Sequence, residues 1–208
     1  FSCGYYEGNN NGEGQRSKPK VNHDLIQDGE HKTLGKRKIT LETTKRWDYQ
    51  VGKFKDRPVQ IANYRDNDGN TVAQKIRFPN KDFLFIGDTK AAGLYGQWLW
   101  RDGGKRVVVT EGEVDALSVS QVIGKTWPVV SVPTGSKGAK KAIQKELEWL
   151  CKFDSVILMF DNDEAGRAAA KECAAILPAG KARIASLPLK DANDMLVSGQ
   201  TKELSNAM

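Results

Sequence analysis

The 208-residue chain is poor in the side chains that cross-link small proteins or carry nucleophilic catalysis. Its three cysteines, Cys3, Cys151 and Cys173, are too few and too scattered for a disulfide framework, which favours a reducing compartment. The two histidines, His23 and His31, lie near one end, and no Ser-His-Asp or Cys-His arrangement is apparent. No run of about 18 apolar residues is present, so we expect no membrane partner.

The charge balance of the chain is mildly basic. Lys and Arg total 32 against 26 Asp and Glu, which gives a net charge of +6 and an isoelectric point of about 9.1. Such an excess suits polyanions such as nucleic acid or nucleotides, although solubility alone would account for it equally well. The chain begins at Phe1 without a charged and apolar leader, so we expect a fragment of a longer protein.

The first half of the chain divides into a polar segment and a basic region. Residues 1–30 contain the stretch GNNNGEG at 8–14, which has no apolar residue to bury, followed by SKPK at 17–20, so we expect a linker there. Residues 31–104 are predicted to form a small basic α+β subdomain, with an Asp-Gly turn between two of its strands. Its expected elements are a helix at 40–47, with Thr40 as N-cap, and strands at 58–65, 71–78 and 82–86.

The second half of the chain, residues 105–200, alternates short apolar runs with segments of helical periodicity. This alternation predicts βαβ units, a parallel sheet and helices on both faces, which is an α/β fold. The expected strands are 106–110, 128–132, 155–160 and 182–186, and the expected helices are 114–123, 137–150 and 164–177.

Carboxylates follow three of the four predicted parallel strands. Glu111 follows the first, Asp161 and Asp163 follow the third, and Asp191 and Asp194 follow the fourth. Because ligands of open parallel sheets bind at the carboxyl ends of the strands, these acids are expected to share one edge. Like charges held close together are costly, and Mg²⁺ with its preference for oxygen ligands is the usual remedy.

The same residues have plainer interpretations. Asp163 could simply N-cap the following helix, and Glu111 could be an exposed residue at a strand end. Lys137 lies in a Gly-rich turn that opens a helix, which suits phosphate but is also an ordinary turn. Lys75 and Arg77 share one face of a strand, with Lys81 just beyond it, and a solvated charged face is the default for such a pattern.

Together these motifs resemble a known family. The segments VVVTEGEVDAL at 107–117, ILMFDNDEAGR at 157–167 and KDANDM at 190–195 are similar to the TOPRIM primase domain of bacteriophage DNA primase-helicases. The basic segment with QKIR at 74–77 resembles the N-terminal subdomain of the same primases. The resemblance implies a TOPRIM fold, which is a Rossmann-like parallel sheet with helices on both faces, preceded by a small basic α+β subdomain.

The resemblance also implies which residues act. Glu111, Asp161 and Asp163 would be catalytic and, with Asp191, would bind two Mg²⁺ ions, with Mn²⁺ as an alternative ion. The nucleotide and DNA contacts expected from the motifs and the resemblance are Lys75, Arg77, Lys81, Lys137 and the accessory acid Asp194. The implied activity is DNA-templated synthesis of short RNA primers from ribonucleoside triphosphates on single-stranded DNA.

The implied surroundings are those of a replication protein. Residues 201–208 would lead into a helicase domain on the same polypeptide, with a DNA polymerase as a further partner at the replisome in the host cytoplasm. Cys3, in the sequence FSCG, resembles the end of a zinc ribbon, so Zn²⁺ would be held only by the intact protein. A nuclease or topoisomerase fragment and a non-catalytic nucleic-acid-binding module remain alternatives.

Overall fold

The computed structural model describes residues 25–66, 68–124 and 126–208. The expected zinc-ribbon remnant at Cys3 and most of the expected linker therefore lie outside the described residues. The strands are β1 Tyr49–Phe54, β2 Arg57–Arg65, β3 Thr71–Arg77, β4 Phe83–Gly87, β5 Gly104–Thr110, β6 Val129–Ser131, β7 Phe153–Met159 and β8 Ala182–Ile184. The α-helices are α1 Leu41–Arg46, α2 Glu113–Ile123, α3 Gly135–Lys145, α4 Leu147–Cys151, α5 Glu164–Ala174, α6 Ala192–Ser198 and α7 Thr201–Asn206.

Strands β1 to β4 form an antiparallel sheet in chain order. The predicted hairpin is present as β2 and β3, and its turn is closed by Asp66, whose carboxylate accepts from the Asn70 amide at 2.8 Å. Strand β1 escaped prediction because its glycine and lysine interrupt the apolar alternation. Helix α1 begins as predicted, with the Thr40 hydroxyl accepting from the Thr43 amide at 3.3 Å.

Strands β5 to β8 form a parallel sheet in the order β6-β5-β7-β8. Strand β5 is buried on both faces, because Val108 packs into one apolar cluster while Val107 and Val109 pack into another. Helices α2, α6 and α7 contribute to the first cluster, and α3, α4 and α5 contribute to the second. This arrangement confirms the predicted α/β fold with helices on both faces of a parallel sheet, preceded by a small α+β subdomain.

The two sheets share part of their core. The rings of Trp47 and Tyr64 lie 5.6 Å and 5.0 Å from that of Tyr95, and all three are fully or almost fully buried. Tyr95 also joins the edge of the parallel sheet, since its amide and carbonyl exchange hydrogen bonds of 2.9 and 3.0 Å with Ser131. The antiparallel sheet thus packs on Tyr95, and the connecting segment that contains Tyr95 is hydrogen-bonded to the edge strand β6 of the parallel sheet.

The predicted helix at 137–150 is wrong in one respect, because it is broken at Glu146 into α3 and α4. The carboxylate of Glu146 accepts from the side-chain amide of Gln97 at 3.1 Å, a long-range contact that local periodicity does not reveal. In the part of the chain that the structure describes, no helix is long and apolar enough to cross a membrane.

Candidate active site

The predicted acidic edge lies where β5 and β7 end. The chain leaves β5 toward β6 on one side and leaves β7 toward β8 on the other, so these two strands flank the switch point of the sheet. Glu111 is fixed there by two main-chain donors. Its Oε1 accepts from the Ser136 amide at 3.0 Å, and its Oε2 accepts from the Asp161 amide at 3.3 Å.

Two glycines allow the loops around this edge to pack closely. A Cβ on Gly166 would lie 2.2 Å from the main-chain oxygen of Asp161, so α5 can start against that loop only with glycine. Gly135 has a φ of +63° beside the Glu111 carboxylate, in the left-handed region that favours glycine. Gly166 and Gly135 therefore allow the loops that carry Asp161 and Glu111 to pack closely at this edge.

A cleft of about 740 Å³ opens at this edge between the two sheets. The acids Glu111, Asp115, Asp161, Asp191 and Asp194 line it, as do Arg37, Lys75, Arg77, Lys81 and Lys190. Most of the sequence-predicted site residues are therefore brought together, with carboxylates at the edge of the parallel sheet and the cations Lys75, Arg77 and Lys81 on or next to β3 of the antiparallel sheet. Asp163 and Lys137 are not among the residues that line the cleft.

The raised pKa of Asp161 shows that negative charge is concentrated at this edge. Burial, reinforced by the charges of Glu111 and Asp191, raises the pKa of Asp161 from 3.8 to about 6. The Lys190 ammonium, 3.7 Å from Oδ2, opposes this shift without cancelling it. Asp161 is therefore a carboxylate that a cation would stabilise.

Asp115 is an acid of the cleft that the sequence analysis missed, because its position inside α2 favoured an ordinary helix residue. Burial and the charges of Asp191 and Asp161 raise its pKa well above the usual range. Its Oδ1 accepts from the Asn193 amide at 3.0 Å, which fixes the carboxylate at the same edge.

Asp163 and Asp191 both use a carboxylate oxygen to cap a helix. Asp163 Oδ1 accepts from the Gly166 amide at 2.9 Å, and Asp191 Oδ1 accepts from the Asp194 amide at 2.7 Å. Capping of α5 was the plainer alternative for Asp163, and the structure contains that contact. Each carboxylate retains a second oxygen, so the metal role of both residues stays a prediction.

One of the cations that line the cleft, Lys75, is paired with a carboxylate, whereas the sequence pattern suggested a solvated charged face. Lys75 Nζ lies 2.8 and 3.1 Å from the two carboxylate oxygens of Glu113, and the side chains are only 10% and 9% exposed. The Tyr64 hydroxyl donates to the same carboxylate at 2.6 Å. Lys75 is therefore held in a buried ion pair between β3 and α2, while Arg77 and Lys81 lie further along the wall.

The acids of the cleft suit a metal ion that enters already bound to substrate phosphates. Among the described residues, no three Asp, Glu, His or Cys side chains are grouped closely enough to hold a metal ion by themselves. Mg²⁺ commonly takes only one or two carboxylates and completes its shell with water and substrate phosphates. The oxygen-only donor set and the raised pKa of Asp161 fit such an ion.

The pKa shift of Asp161 predicts a pH-dependent stability. The folded chain binds the proton of the Asp161 carboxyl more tightly than the unfolded chain does. The contribution of the protonated carboxyl to stability is therefore complete below the unfolded pKa of 3.8 and is lost as the pH rises through about 6. Without divalent cations, Asp161→Asn should therefore gain stability relative to wild type between about pH 4 and pH 7. Urea unfolding at constant ionic strength measures this, and a difference that does not change with pH would contradict it.

Comparison with known proteins agrees with the geometry. Residues 29–87 match the family described as the N-terminal a+b fold of the bacteriophage T7 DNA helicase/primase, and residues 108–196 match the Toprim-like family. The chain is 43% identical to the DNA helicase/primase of Enterobacteria phage T3 over 176 residues, or 85% of this chain and 31% of that protein. The chain thus spans about a third of the length of this curated relative.

Two solved structures are equally similar to the chain, each with a TM-score of 0.81 and 43% identity over 86% of this chain. One is the primase fragment of the bacteriophage T7 primase-helicase, of which 74% is covered. In the other, primase domains of two subunits, bound to an RNA/DNA hybrid and dTTP, interact with the T7 lagging-strand DNA polymerase, and 91% of the matched chain is covered. The chain belongs to the primase family of the bacteriophage primase-helicases, with a T7-type N-terminal subdomain followed by a Toprim domain.

Proposed function

We propose that the chain joins ribonucleoside triphosphates into short RNA primers on a single-stranded DNA template. The observation that carries the proposal is the cleft at the switch point, in which carboxylates face a wall of cations. A triphosphate with bound metal complements both walls at once, because its phosphates suit the cations and its metal suits the acids.

The reaction in this proposal is an in-line displacement. A 3′-hydroxyl oxygen forms a bond to the α-phosphorus, the bond from that phosphorus to the bridging oxygen breaks, pyrophosphate leaves, and the hydroxyl proton passes to solvent. Two Mg²⁺ ions, or Mn²⁺, would lower the pKa of the hydroxyl and neutralise the leaving pyrophosphate. Glu111, Asp161 and Asp191 would hold these ions, and Asp163 would do so through its free oxygen.

The chain's own cations would bind and orient the substrates. Arg77 and Lys81 line the acidic cleft and also a second cleft of about 810 Å³ on the antiparallel sheet, so the two clefts are adjoining. We propose that the template strand follows this shared wall, with its phosphates neutralised by the cations. Asp194, in α6, would contact the nucleotide in the cleft, and Lys137, in α3, would contact it from outside the lining of the cleft.

The relatives support further partners. The phage T3 relative is a helicase/primase, so we propose a helicase domain on the same polypeptide. The phage T7 primase domains interact with a DNA polymerase, and an equivalent polymerase contact at the replisome in the host cytoplasm is proposed here. Zn²⁺ would belong to an intact zinc ribbon that includes Cys3.

The test is incubation of the chain with labelled ribonucleoside triphosphates, Mg²⁺ and random-sequence single-stranded DNA. The proposal predicts short oligoribonucleotides that require both the DNA and the metal and that disappear when the metal is chelated. Nicking or relaxation of plasmid DNA without any RNA product would instead favour a nuclease or topoisomerase. Binding of DNA with neither activity would favour a non-catalytic module.

A further inference from the structure

Phe83 is an aromatic residue whose position in the cleft is not explained by packing. Phe83 lies on β4, an edge strand of the antiparallel sheet, and is 53% exposed although it lines the acidic cleft. Phe85, two residues on, contacts the core, with its ring 5.0 Å from that of Tyr64. An aromatic ring left in water inside a polar cleft forgoes most of the stabilisation that burial would supply.

Two cations approach the Phe83 ring, both from the neighbouring strand β3. Lys75 Nζ lies 4.8 Å and Arg77 Cζ lies 5.4 Å from the ring centroid, within the range of cation–π contacts. Arg77 is the cross-strand partner of Phe83, so both residues are on one face of the sheet. Because β4 is the last strand of this sheet among the described residues, no strand described by the structure covers the side of Phe83 away from β3.

An exposed ring beside cations is the combination that binds single-stranded nucleic acid. Every base has a π-face that can stack on an aromatic side chain, while nearby Lys and Arg neutralise the phosphates. Here the ring and the cations Arg77 and Lys81 line the same cleft, across from Glu111 and Asp161. A base stacked on Phe83 would therefore leave its phosphates near the residues that suit them.

We propose that Phe83 stacks against an unpaired nucleobase in the cleft and so positions the nucleic acid for the reaction. The proposal rests on the proposed function for its substrate class. The base belongs either to the template strand or to the incoming ribonucleotide, and the two sources share the same stacking chemistry. Phe83 is a positioning residue in this role, because a stacked ring would orient the base and take no part in the bonds that form or break.

The test compares ligands with and without a base. We would measure equilibrium binding of a single-stranded DNA oligonucleotide against an abasic oligonucleotide of equal length, and of ATP against ribose 5′-triphosphate, all with Mg²⁺. Phe83→Ala should lower the affinity for one of the two base-containing ligands about tenfold and leave the affinity for its base-free counterpart unchanged. The ligand that weakens identifies the source of the base.

Three further variants separate stacking from other roles. Phe83→Trp should restore binding, whereas Phe83→Leu, which retains apolar area without a π-face, should bind as weakly as Phe83→Ala. Leu84→Ala is the matched control, because Leu84 is 37% exposed on the same edge strand but does not line the cleft. Its binding should equal that of wild type.

Unchanged binding of both base-containing ligands by Phe83→Ala would overturn the proposal. The proposal would also be overturned if Phe83→Ala lowered the affinity for the base-free ligands equally, or if Phe83→Leu bound the base-containing ligands as tightly as wild type. Since every readout is a binding constant, it remains measurable in a chain that makes no RNA. Failure of the stacking proposal can therefore be distinguished from failure of the proposed polymerisation.

Discussion

Replacing Asp161 with asparagine is expected to lower RNA synthesis by at least about a hundredfold while the fold survives. The substitution removes the charge that would hold a catalytic cation at the edge of the sheet, and it keeps the size of the side chain. It also removes a carboxylate whose pKa is raised by burial and by neighbouring acids, so folding should not suffer. Glu111→Gln is expected to have a comparable effect on synthesis, measured with labelled ribonucleotides at saturating Mg²⁺.

The control for this prediction is Asp154→Asn. Asp154 is an exposed carboxylate on the same strand β7, near the end opposite to the cleft. Its loss changes the net charge by the same amount and should leave synthesis at the wild-type rate. Wild-type synthesis by either Asp161→Asn or Glu111→Gln would disprove the assignment of these acids.

Glu113→Ala is expected to destabilise the folded chain by about 3–5 kcal/mol, the usual consequence of leaving a buried charge without its partner. The variant would strand the Lys75 ammonium, which is only 10% exposed, and would remove the acceptor of the Tyr64 hydroxyl. Chemical denaturation followed by circular dichroism measures the loss. Because Lys75 borders the cleft, substrate binding should weaken in the same variant.

Two comparisons make this prediction specific. The double variant Lys75→Met with Glu113→Leu should recover much of the lost stability, since well-packed apolar residues often replace a buried ion pair without cost. Glu30→Ala, which breaks the exposed pair of Glu30 with Lys32 at 2.8 Å, should leave the stability nearly unchanged. If Glu113→Ala were as harmless as Glu30→Ala, the buried pair would not stabilise the fold.

Local patterns predicted most of the architecture. The period-two runs on either side of an Asp-Gly turn predicted β2 and β3, and Thr40 marked the start of α1. The alternation of apolar runs with helical segments predicted the parallel sheet, and the carboxylates after its strands predicted the acidic edge. The hairpin, the helix start and the strand-helix alternation are visible in the sequence because each depends on residues that are close together in the chain. The acidic edge then follows from the rule that the carboxyl ends of parallel strands meet at one edge of a sheet.

The features that prediction missed depend on distant residues. The partner of Lys75 is Glu113, 38 residues away, and no local pattern distinguishes this buried pair from a solvated charged face. Asp115 acquires its raised pKa from burial and from acids on other strand ends. Helix α3 ends before the predicted bound, and Glu146 at the break contacts Gln97, 49 residues away. In each case the contact forms only once segments that are distant in the chain have packed together.

The way the cleft is assembled has a consequence for how the chain folds as it is synthesised. Strands β1 to β4 pair in chain order and can close from local contacts once residue 87 has emerged. The cleft also needs α6, whose Asn193 accepts a 3.0 Å hydrogen bond from Arg37 across 156 residues of chain. Strands β1 to β4 of a nascent chain can therefore pair well before α6 has emerged, whereas the acidic edge is complete only once α6 is in place.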